Sequence, residues 1–144
     1  MGERTLENLM HCAVDTNFLI YFFDSHSPLH KKSVNMLHSA AAGKLKISGS
    51  ELLFAEMLAY PALNDRAASG IRNKLGLLPL SYHPVSLDIL TRAGALRRHH
   101  SSLRLPDAIH LATAIAAKAD RFVTNDQRII SLKKINGTLI SALE

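Results

Sequence analysis

Four carboxylates of the sequence lie in or directly beside apolar stretches, where an unpaired charge is costly. Removing a carboxylate from water is unfavourable, and gathering several of them adds repulsion between like charges. A cluster of such groups therefore predicts a compensating cation, and ligation by oxygen alone favours Mg²⁺ or Mn²⁺. The four residues are Asp15, Glu56, Asp107 and Asp126.

Three of these carboxylates also have an ordinary structural interpretation. Asp15 and Asp126 are each placed to cap a following helix or helical turn, and Asp107 lies in the first turn of a helix. Helix N-termini keep carboxylates ionised, which a metal ligand requires. The capping and ligand interpretations are therefore compatible.

Glu56 has no such capping interpretation. Its neighbours three and four positions away on a helix are Leu52, Leu53, Ala59 and Tyr60, so it lies on a largely apolar face. Glu51, in the first turn of the same predicted helix, has an ordinary role at the helix dipole. Glu56 is thus the acid with the strongest indication of a functional role.

The elements that position these residues alternate between short apolar strands and amphipathic helices. Such alternation predicts an α/β fold, with a central parallel sheet covered by helices on both faces. The predicted strands are 11–14, 45–47, 77–82, 121–124 and 138–140; the predicted helices are 28–41, 50–60, 65–74, 87–100 and 106–119, with helical turns at 18–23 and 126–131.

Asp15 and Asp126 each come one to three residues after a predicted strand. The carboxyl ends of parallel strands meet at one edge of a sheet, where α/β proteins collect their active sites. We expect Glu56 and Asp107 to reach the same edge from helices. The sequence therefore predicts one acidic site built from four distant segments.

The composition predicts a single domain spanning residues 1–144. The chain is 47% hydrophobic and has no run of about 18 apolar residues that could span a bilayer. No signal-peptide pattern is present at the N-terminus, so we expect no membrane association and a cytoplasmic location. Cys12, the only cysteine, is predicted to be a buried strand thiol.

The charge balance favours a polyanionic partner. The chain carries 17 Lys and Arg against 12 Asp and Glu, and assigning four acids to a site leaves eight to balance 17 basic groups. A basic surface around an acidic pocket suits nucleic acid, although a merely soluble basic protein would have the same charge. The candidate phosphate contacts are Arg72, Lys74, Arg97, Arg98, Arg104 and Arg128.

Other site chemistries fit the sequence less well. The chain has eight histidines, but none forms a His/Cys pattern with zinc spacing, and His110 is interpreted as a hydrogen-bonded helix residue. Phosphotransfer through an aspartate nucleophile would require a second Asp two positions after Asp15. That position is occupied by Asn17.

In order, the motifs resemble those of the PIN domain, most closely its small VapC-like branch. They are Val-Asp-Thr-Asn-Phe-Leu-Ile at 14–20, the helical Glu56, Leu-Pro-Asp-Ala-Ile-His-Leu-Ala-Thr-Ala at 105–114, and Phe-Val-Thr-Asn-Asp at 122–126. The resemblance covers residues 12–141. The ordered set of four is more specific than any one motif, and it leaves residues 1–10 as an N-terminal extension.

This resemblance implies an α/β/α sandwich with ribonuclease activity that depends on Mg²⁺ or Mn²⁺. It places the catalytic acids at Asp15, Glu56, Asp107 and Asp126, with metal ligation by the three aspartates. It also implies supporting roles for Asn17 and Thr124. Many small members of the family are toxins that pair with an antitoxin and form homodimers, so the resemblance implies both partners.

Two alternatives to a toxin ribonuclease are consistent with the sequence. One is a non-catalytic member of the fold that binds RNA or protein, which the intact set of four acids disfavours. The other is an RNA-processing nuclease with no antitoxin. Sequence alone does not distinguish the second from a toxin.

Overall fold

A computed structural model describes residues 8–144 and contains a six-stranded sheet with the order β3-β2-β1-β4-β6-β5. All neighbouring strands are parallel except β5 and β6, which form an antiparallel pair at one edge. The strands are β1 (His11–Val14), β2 (Lys46–Ser50), β3 (Ser81–His83), β4 (Arg121–Val123), β5 (Lys134–Ile135) and β6 (Thr138–Ser141).

Helices pack on both faces of this sheet. The helices are α1 (Thr16–Phe23), α2 (His30–Ala41), α3 (Leu52–Leu58), α4 (Asp65–Leu77), α5 (Leu87–His99), α6 (Leu105–Ala116) and α7 (Gln127–Ile130). One core contains buried residues of α5, α6 and α7, and the other contains those of α1 to α4. The predicted three-layer α/β/α sandwich is confirmed.

Strand β1 shows how the two layers arise from the sequence. Successive strand side chains point to opposite faces, so Ala13 packs in the core of α5 to α7 while Cys12 and Val14 pack in the other. All four β1 residues are buried, as expected for a central parallel strand. The prediction that Cys12 is a buried strand thiol is confirmed.

The register between β1 and β4 positions the acidic edge. Val14 pairs with Val123, so the chain leaves both strands at the same level of the sheet. Asp15 and Thr124 are the next residues along the two chains. Both are therefore placed side by side at the carboxyl ends of the central strands, as the sequence predicts.

Helix α6 brings the third acidic segment to the sheet. Seven consecutive residues, 108–114, are buried, because the helix lies against the sheet on one side and α5 on another. Pro106 occupies the first turn, where its missing N–H is tolerated. Asp107 is the next residue and lies at the exposed end of this buried helix.

The predicted boundary between α4 and β3 is wrong. The helix does not end before Gly76 but continues to Leu77, and β3 is only three residues long. Leu75 is fully buried in the core, and its carbonyl accepts a hydrogen bond of 2.7 Å from the Tyr82 hydroxyl. Packing of Leu75 therefore holds the last helical turn in place despite the adjacent glycine.

The prediction also omitted β5. This two-residue strand pairs with β6 around Asn136 and Gly137, which both have positive φ angles of 49° and 89°. Asn-Gly is the preferred pair for a two-residue hairpin turn with this backbone conformation. The sheet is thus parallel with one antiparallel edge strand.

Among residues 8–144, no helix combines the length and apolar character needed to cross a bilayer. The prediction of an extension at residues 1–10 falls mainly on residues 1–7, which lie outside the described part of the chain. A single domain over residues 1–144 stays a prediction.

Candidate active site

Asp15 is the buried centre of the acidic edge. It is 9% exposed, caps α1, and accepts a hydrogen bond of 3.4 Å from the Phe18 amide. Burial raises the pKa of Asp15, and the nearby Asp107 carboxylate adds to this increase; hydrogen bonds from Thr124 and Phe18 and the charge of His110 act in the opposite direction. Asp15 therefore caps a helix and is also a destabilised buried carboxylate.

Thr124 connects the ends of β1 and β4. Its hydroxyl lies in hydrogen-bonding contact with Asp15, and its oxygen accepts a bond of 3.2 Å from the Asp126 amide. Thr124 is buried, so this connection is protected from water. The predicted supporting position fits this geometry, whereas Asn17 is exposed on the first turn of α1.

Glu56 is held in place by two residues from other elements. Its Oε1 accepts a hydrogen bond of 2.7 Å from the Thr16 hydroxyl and also contacts Nε2 of His110. Burial acts to raise the pKa of Glu56, but the hydrogen bonds from His110 and Thr16 outweigh it, and the pKa is lowered. Glu56 is therefore kept ionised, with one carboxylate oxygen committed to the protein.

His110 joins Glu56 to the rest of the site. It is 4% exposed and lies three residues after Asp107 on α6, so both side chains belong to neighbouring faces of that helix. It contacts Glu56 through Nε2, and its charge acts on Asp15. The predicted hydrogen-bonded helix histidine is confirmed, and its partner is one of the four acids.

Asp107 and Asp126 share a basic neighbour. Asp107 accepts a hydrogen bond of 3.1 Å from the Arg104 amide, and Asp126 caps α7 by accepting one of 3.0 Å from the Arg128 amide. The Arg128 guanidinium contacts both oxygens of Asp126 and lies 4.0 Å from Asp107. The hydrogen bonds from Arg128 lower the pKa of Asp126.

The structure thus places the four carboxylates in one connected network. Glu56 contacts His110, the charges of His110 and Asp107 both act on the pKa of Asp15, and the Arg128 guanidinium bonds Asp126 and lies 4.0 Å from Asp107. Within residues 8–144, no group of three or more His, Cys, Asp or Glu side chains is arranged so that it could hold a metal ion. Their roles as ligands and catalysts stay predictions.

The donor chemistry of this network fits a hard divalent cation. Asp15, Asp107 and Asp126 offer only oxygen atoms, and burial, which raises the pKa of Asp15, makes its ionised form costly without a nearby positive charge. A basic side chain already lies between two of the acids. The site is therefore one that positive charge stabilises.

The six predicted phosphate contacts separate into two groups. Arg104 and Arg128 lie at the acidic edge, because both act on the Asp126 carboxylate. The other four are exposed on α4 and α5 without a described link to the acids. These four are Arg72, Lys74, Arg97 and Arg98.

Several site residues escaped the sequence-based prediction. Thr16 was part of the first motif but had no assigned role, and Asn125 accepts a hydrogen bond of 2.8 Å from the Leu143 amide. Asn125 also hydrogen-bonds Tyr21, whose pKa is raised by burial and by the charge of Asp15. The available signals for Thr16 and Asn125 were their places inside the first and last motifs, next to Asp15 and Asp126.

A family model for the PIN domain matches residues 12–135. The chain belongs to the PIN domain family. That match includes all four acids and the strands from β1 to β5, except His11 at the start of β1. No curated protein sequence matches the chain significantly.

Solved structures of bacterial toxin–antitoxin systems share this PIN fold. A toxin–antitoxin complex from Klebsiella pneumoniae is 26% identical, with a TM-score of 0.66 over 89% of this chain and 95% of the other. VapBC2 from Rickettsia felis, bound to a promoter DNA fragment, is 20% identical, with a TM-score of 0.69 over 94% and 100%.

A third PIN-fold structure is VapC20 from Mycobacterium tuberculosis, described as a toxin that cleaves the sarcin–ricin loop. It is 14% identical, with a TM-score of 0.67 over 87% of this chain and 97% of the other. At this identity the similarity establishes the fold. The resemblance to the PIN domain inferred from the motifs is confirmed by the family model, and the structures of VapC proteins share this fold.

The contact between His110 and Glu56 leads to a testable prediction about stability. Replacing His110 by alanine should reduce the free energy of unfolding at pH 7 by about 1–3 kcal/mol, because a buried partner of Glu56 is lost. A depressed pKa of Glu56 stabilises the fold above the unfolded value of 4.5, and this contribution disappears as the pH falls through the folded value. The difference in free energy of unfolding between the wild type and His110→Ala should therefore become smaller toward pH 3.

Urea denaturation at several pH values measures this effect. His38→Ala is the matched control, because His38 is an exposed histidine on α2. It should leave stability nearly unchanged at every pH. A deficit in His110→Ala of constant size from pH 3 to pH 7 would show that the Glu56 contact is not its source.

Proposed function

We propose that this PIN-domain protein is a metal-dependent ribonuclease and the toxin of a toxin–antitoxin pair. The observation that carries the proposal is the network of four carboxylates around buried Asp15, at the carboxyl ends of β1 and β4. The family and the toxin structures that share its fold support the same assignment.

Asp15, Asp107 and Asp126 would hold the metal. A bound Mg²⁺ or Mn²⁺ lowers the pKa of coordinated water and offsets charge on a phosphodiester. Asp15 contributes a carboxylate whose orientation is set by Thr124 and by the first turn of α1. Asp107 and Asp126 are partly exposed, whereas Asp15 is buried.

Glu56 is suited to orient a water molecule and accept its proton. Thr16 and His110 hold one carboxylate oxygen and favour the ionised form, which leaves the second oxygen for water. Arg104 and Arg128 would contact phosphate oxygens at the rim, where they add positive charge near the scissile group. Hydrolysis would then leave 5′-phosphate and 3′-hydroxyl ends.

Cleavage of RNA by the purified chain tests the enzyme assignment. We expect total cellular RNA to be cut in Mn²⁺ or Mg²⁺ and to remain intact in excess chelator. The same metal should stabilise the fold by about 2.7 kcal/mol at 100 times its Kd, because it binds only the folded protein. Undiminished cleavage in chelator would contradict the metal requirement, and sequencing of the cut ends would identify the RNA target.

The toxin assignment needs a separate test. Expression of the chain should arrest growth, and co-expression of a neighbouring gene that encodes a DNA-binding antitoxin should relieve the arrest. Cleavage in vitro without any growth effect would favour an RNA-processing nuclease. The proposed homodimer and antitoxin complex would be measured by light scattering after size-exclusion chromatography.

A further inference from the structure

We propose that Arg128 is an internal cation that occupies the Asp107–Asp126 carboxylate pair and sets the affinity of the site for metal. This inference rests on the proposed metal-dependent function. What is new is that the Arg128 guanidinium and the metal ion compete for the same carboxylate oxygens. Arg128 would therefore determine how much free metal is needed to load the site.

The contacts of Arg128 are unusually complete for an exposed side chain. Its Nε and backbone amide each lie 3.0 Å from Oδ1 of Asp126, and a terminal guanidinium nitrogen contacts Oδ2. The same terminal nitrogen lies 4.0 Å from Oδ2 of Asp107. Both oxygens of Asp126 are thus engaged, in the two-pronged geometry that arginine forms with carboxylates.

These contacts compete directly with metal ligation. A metal ion bound to Asp126 needs a lone pair that points into the site, and both Asp126 oxygens now accept bonds from Arg128. Placing a divalent cation beside an unmoved guanidinium would also add repulsion between like charges. Only one lone pair of Oδ2 is then left over, so a metal ion at Asp126 competes with the guanidinium.

The guanidinium is held weakly enough to be exchanged. The side chains of Arg128, Asp107 and Asp126 are 43%, 24% and 23% exposed, so water screens their attraction. Asp15, by contrast, is buried, and no arginine within residues 8–144 makes a contact of this kind with it. Metal should enter first at the Asp15 side of the network, with Asp126 joining as Arg128 is displaced.

Displacement would leave Arg128 close to the substrate. Its backbone belongs to α7, two residues after Asp126, and its amide remains bonded to the Asp126 carboxylate. The released guanidinium therefore stays at the rim of the acidic site, within reach of an RNA phosphate. One side chain would thus neutralise the acids without metal and contact the substrate with metal.

Calorimetric titration of Mn²⁺ into the metal-free protein tests this competition. Arg128→Gln should bind Mn²⁺ about fivefold more tightly than the wild type, the ratio expected for losing a competing partly exposed ion pair. Arg128→Lys keeps the charge but cannot bridge two oxygens, so its affinity should lie between those of Arg128→Gln and the wild type.

Arg104→Gln is the matched control. Arg104 also acts on Asp126 by its charge, but no bond joins its side chain to the Asp126 carboxylate. It should strengthen Mn²⁺ binding less than Arg128→Gln does. If Arg128→Gln and Arg104→Gln gain equally in affinity for Mn²⁺, the gain comes from the lost positive charge alone and the competition is wrong. An unchanged affinity in Arg128→Gln would also overturn it.

Failure of this inference is distinguishable from failure of the proposed function. If the wild type binds Mn²⁺ and cuts RNA while Arg128→Gln binds Mn²⁺ no better, only the role of Arg128 is wrong. If neither protein binds Mn²⁺, both the metal-dependent function and the competition are wrong.

Discussion

Replacing Asp15 by asparagine should abolish RNA cleavage and, at neutral pH, make the metal-free protein more stable. The expected loss of cleavage is at least about 1,000-fold, because a bound metal contributes several kcal/mol of charge stabilisation and the variant loses the most buried of the proposed ligands. The expected gain in stability is about 0.5–2 kcal/mol, as is common when a strained functional group is removed. The two effects have the same origin.

That origin is the cost of an ionised carboxylate at a buried position. Burial raises the pKa of Asp15 above the ordinary 3.8, and Asp107 raises it further. A raised folded pKa carries no penalty below the unfolded value, and a penalty develops as the pH rises through the folded value. The stability gain of Asp15→Asn should therefore be absent near pH 3 and fully present at pH 7.

Urea denaturation with and without Mn²⁺ measures both parts of this prediction. Mn²⁺ should stabilise the wild type but not Asp15→Asn, so the order of stability reverses when metal is added. Asp88→Asn is a matched control, since Asp88 pairs with Arg92 on the exposed face of α5. If Asp15→Asn is less stable than the wild type at pH 7 without metal, Asp15 stabilises the fold as a helix cap and is not a strained site residue.

The sequence predicted the position of the acidic edge because local signals determined it. Asp15 and Asp126 follow short apolar strands, and parallel strands that pair in register must end together, as Val14 and Val123 do. Asp107 was equally predictable, because Pro106 fixes the start of a long apolar helix. These positions required no knowledge of side-chain contacts.

The bonds within the site depend on contacts that no local pattern encodes. Glu56 lies 40 residues from Thr16 and 54 from His110, and only packing of α3 against α1 and α6 brings their side chains together. The position of the Arg128 guanidinium likewise depends on how α7 faces the start of α6. Sequence periodicity identified the helices but not these pairings.

The two prediction errors at the edges of the sheet, the boundary between α4 and β3 and the omitted β5, also arise where local sequence patterns do not decide the structure. The apolar run at 77–80 is compatible with either a helix end or a strand, and the burial of Leu75 decides in favour of the helix. The omitted strand β5 is only two residues long, too short for an alternating pattern. Its Asn136-Gly137 turn was nevertheless a usable hairpin signal.

Replacing Glu56 by glutamine should reduce kcat for RNA cleavage by about 100-fold or more at saturating metal, the range expected when a general base is lost. Glutamine has nearly the same shape and can still accept the hydrogen bond from Thr16, but it cannot take a proton from water. Metal affinity should change much less than kcat, because the three aspartates remain. Calorimetry and single-turnover cleavage would separate the two quantities.

Glu51→Gln is the matched control for this experiment. Glu51 is an exposed glutamate at the start of the same helix and lies outside the four-acid network, so its replacement should leave kcat unchanged. If Glu56→Gln keeps wild-type kcat, Glu56 has only a structural role, and proton transfer must be assigned elsewhere. If it instead loses Mn²⁺ binding in proportion to kcat, Glu56 is a metal ligand, and its bonds to Thr16 and His110 serve to aim a ligand rather than a base.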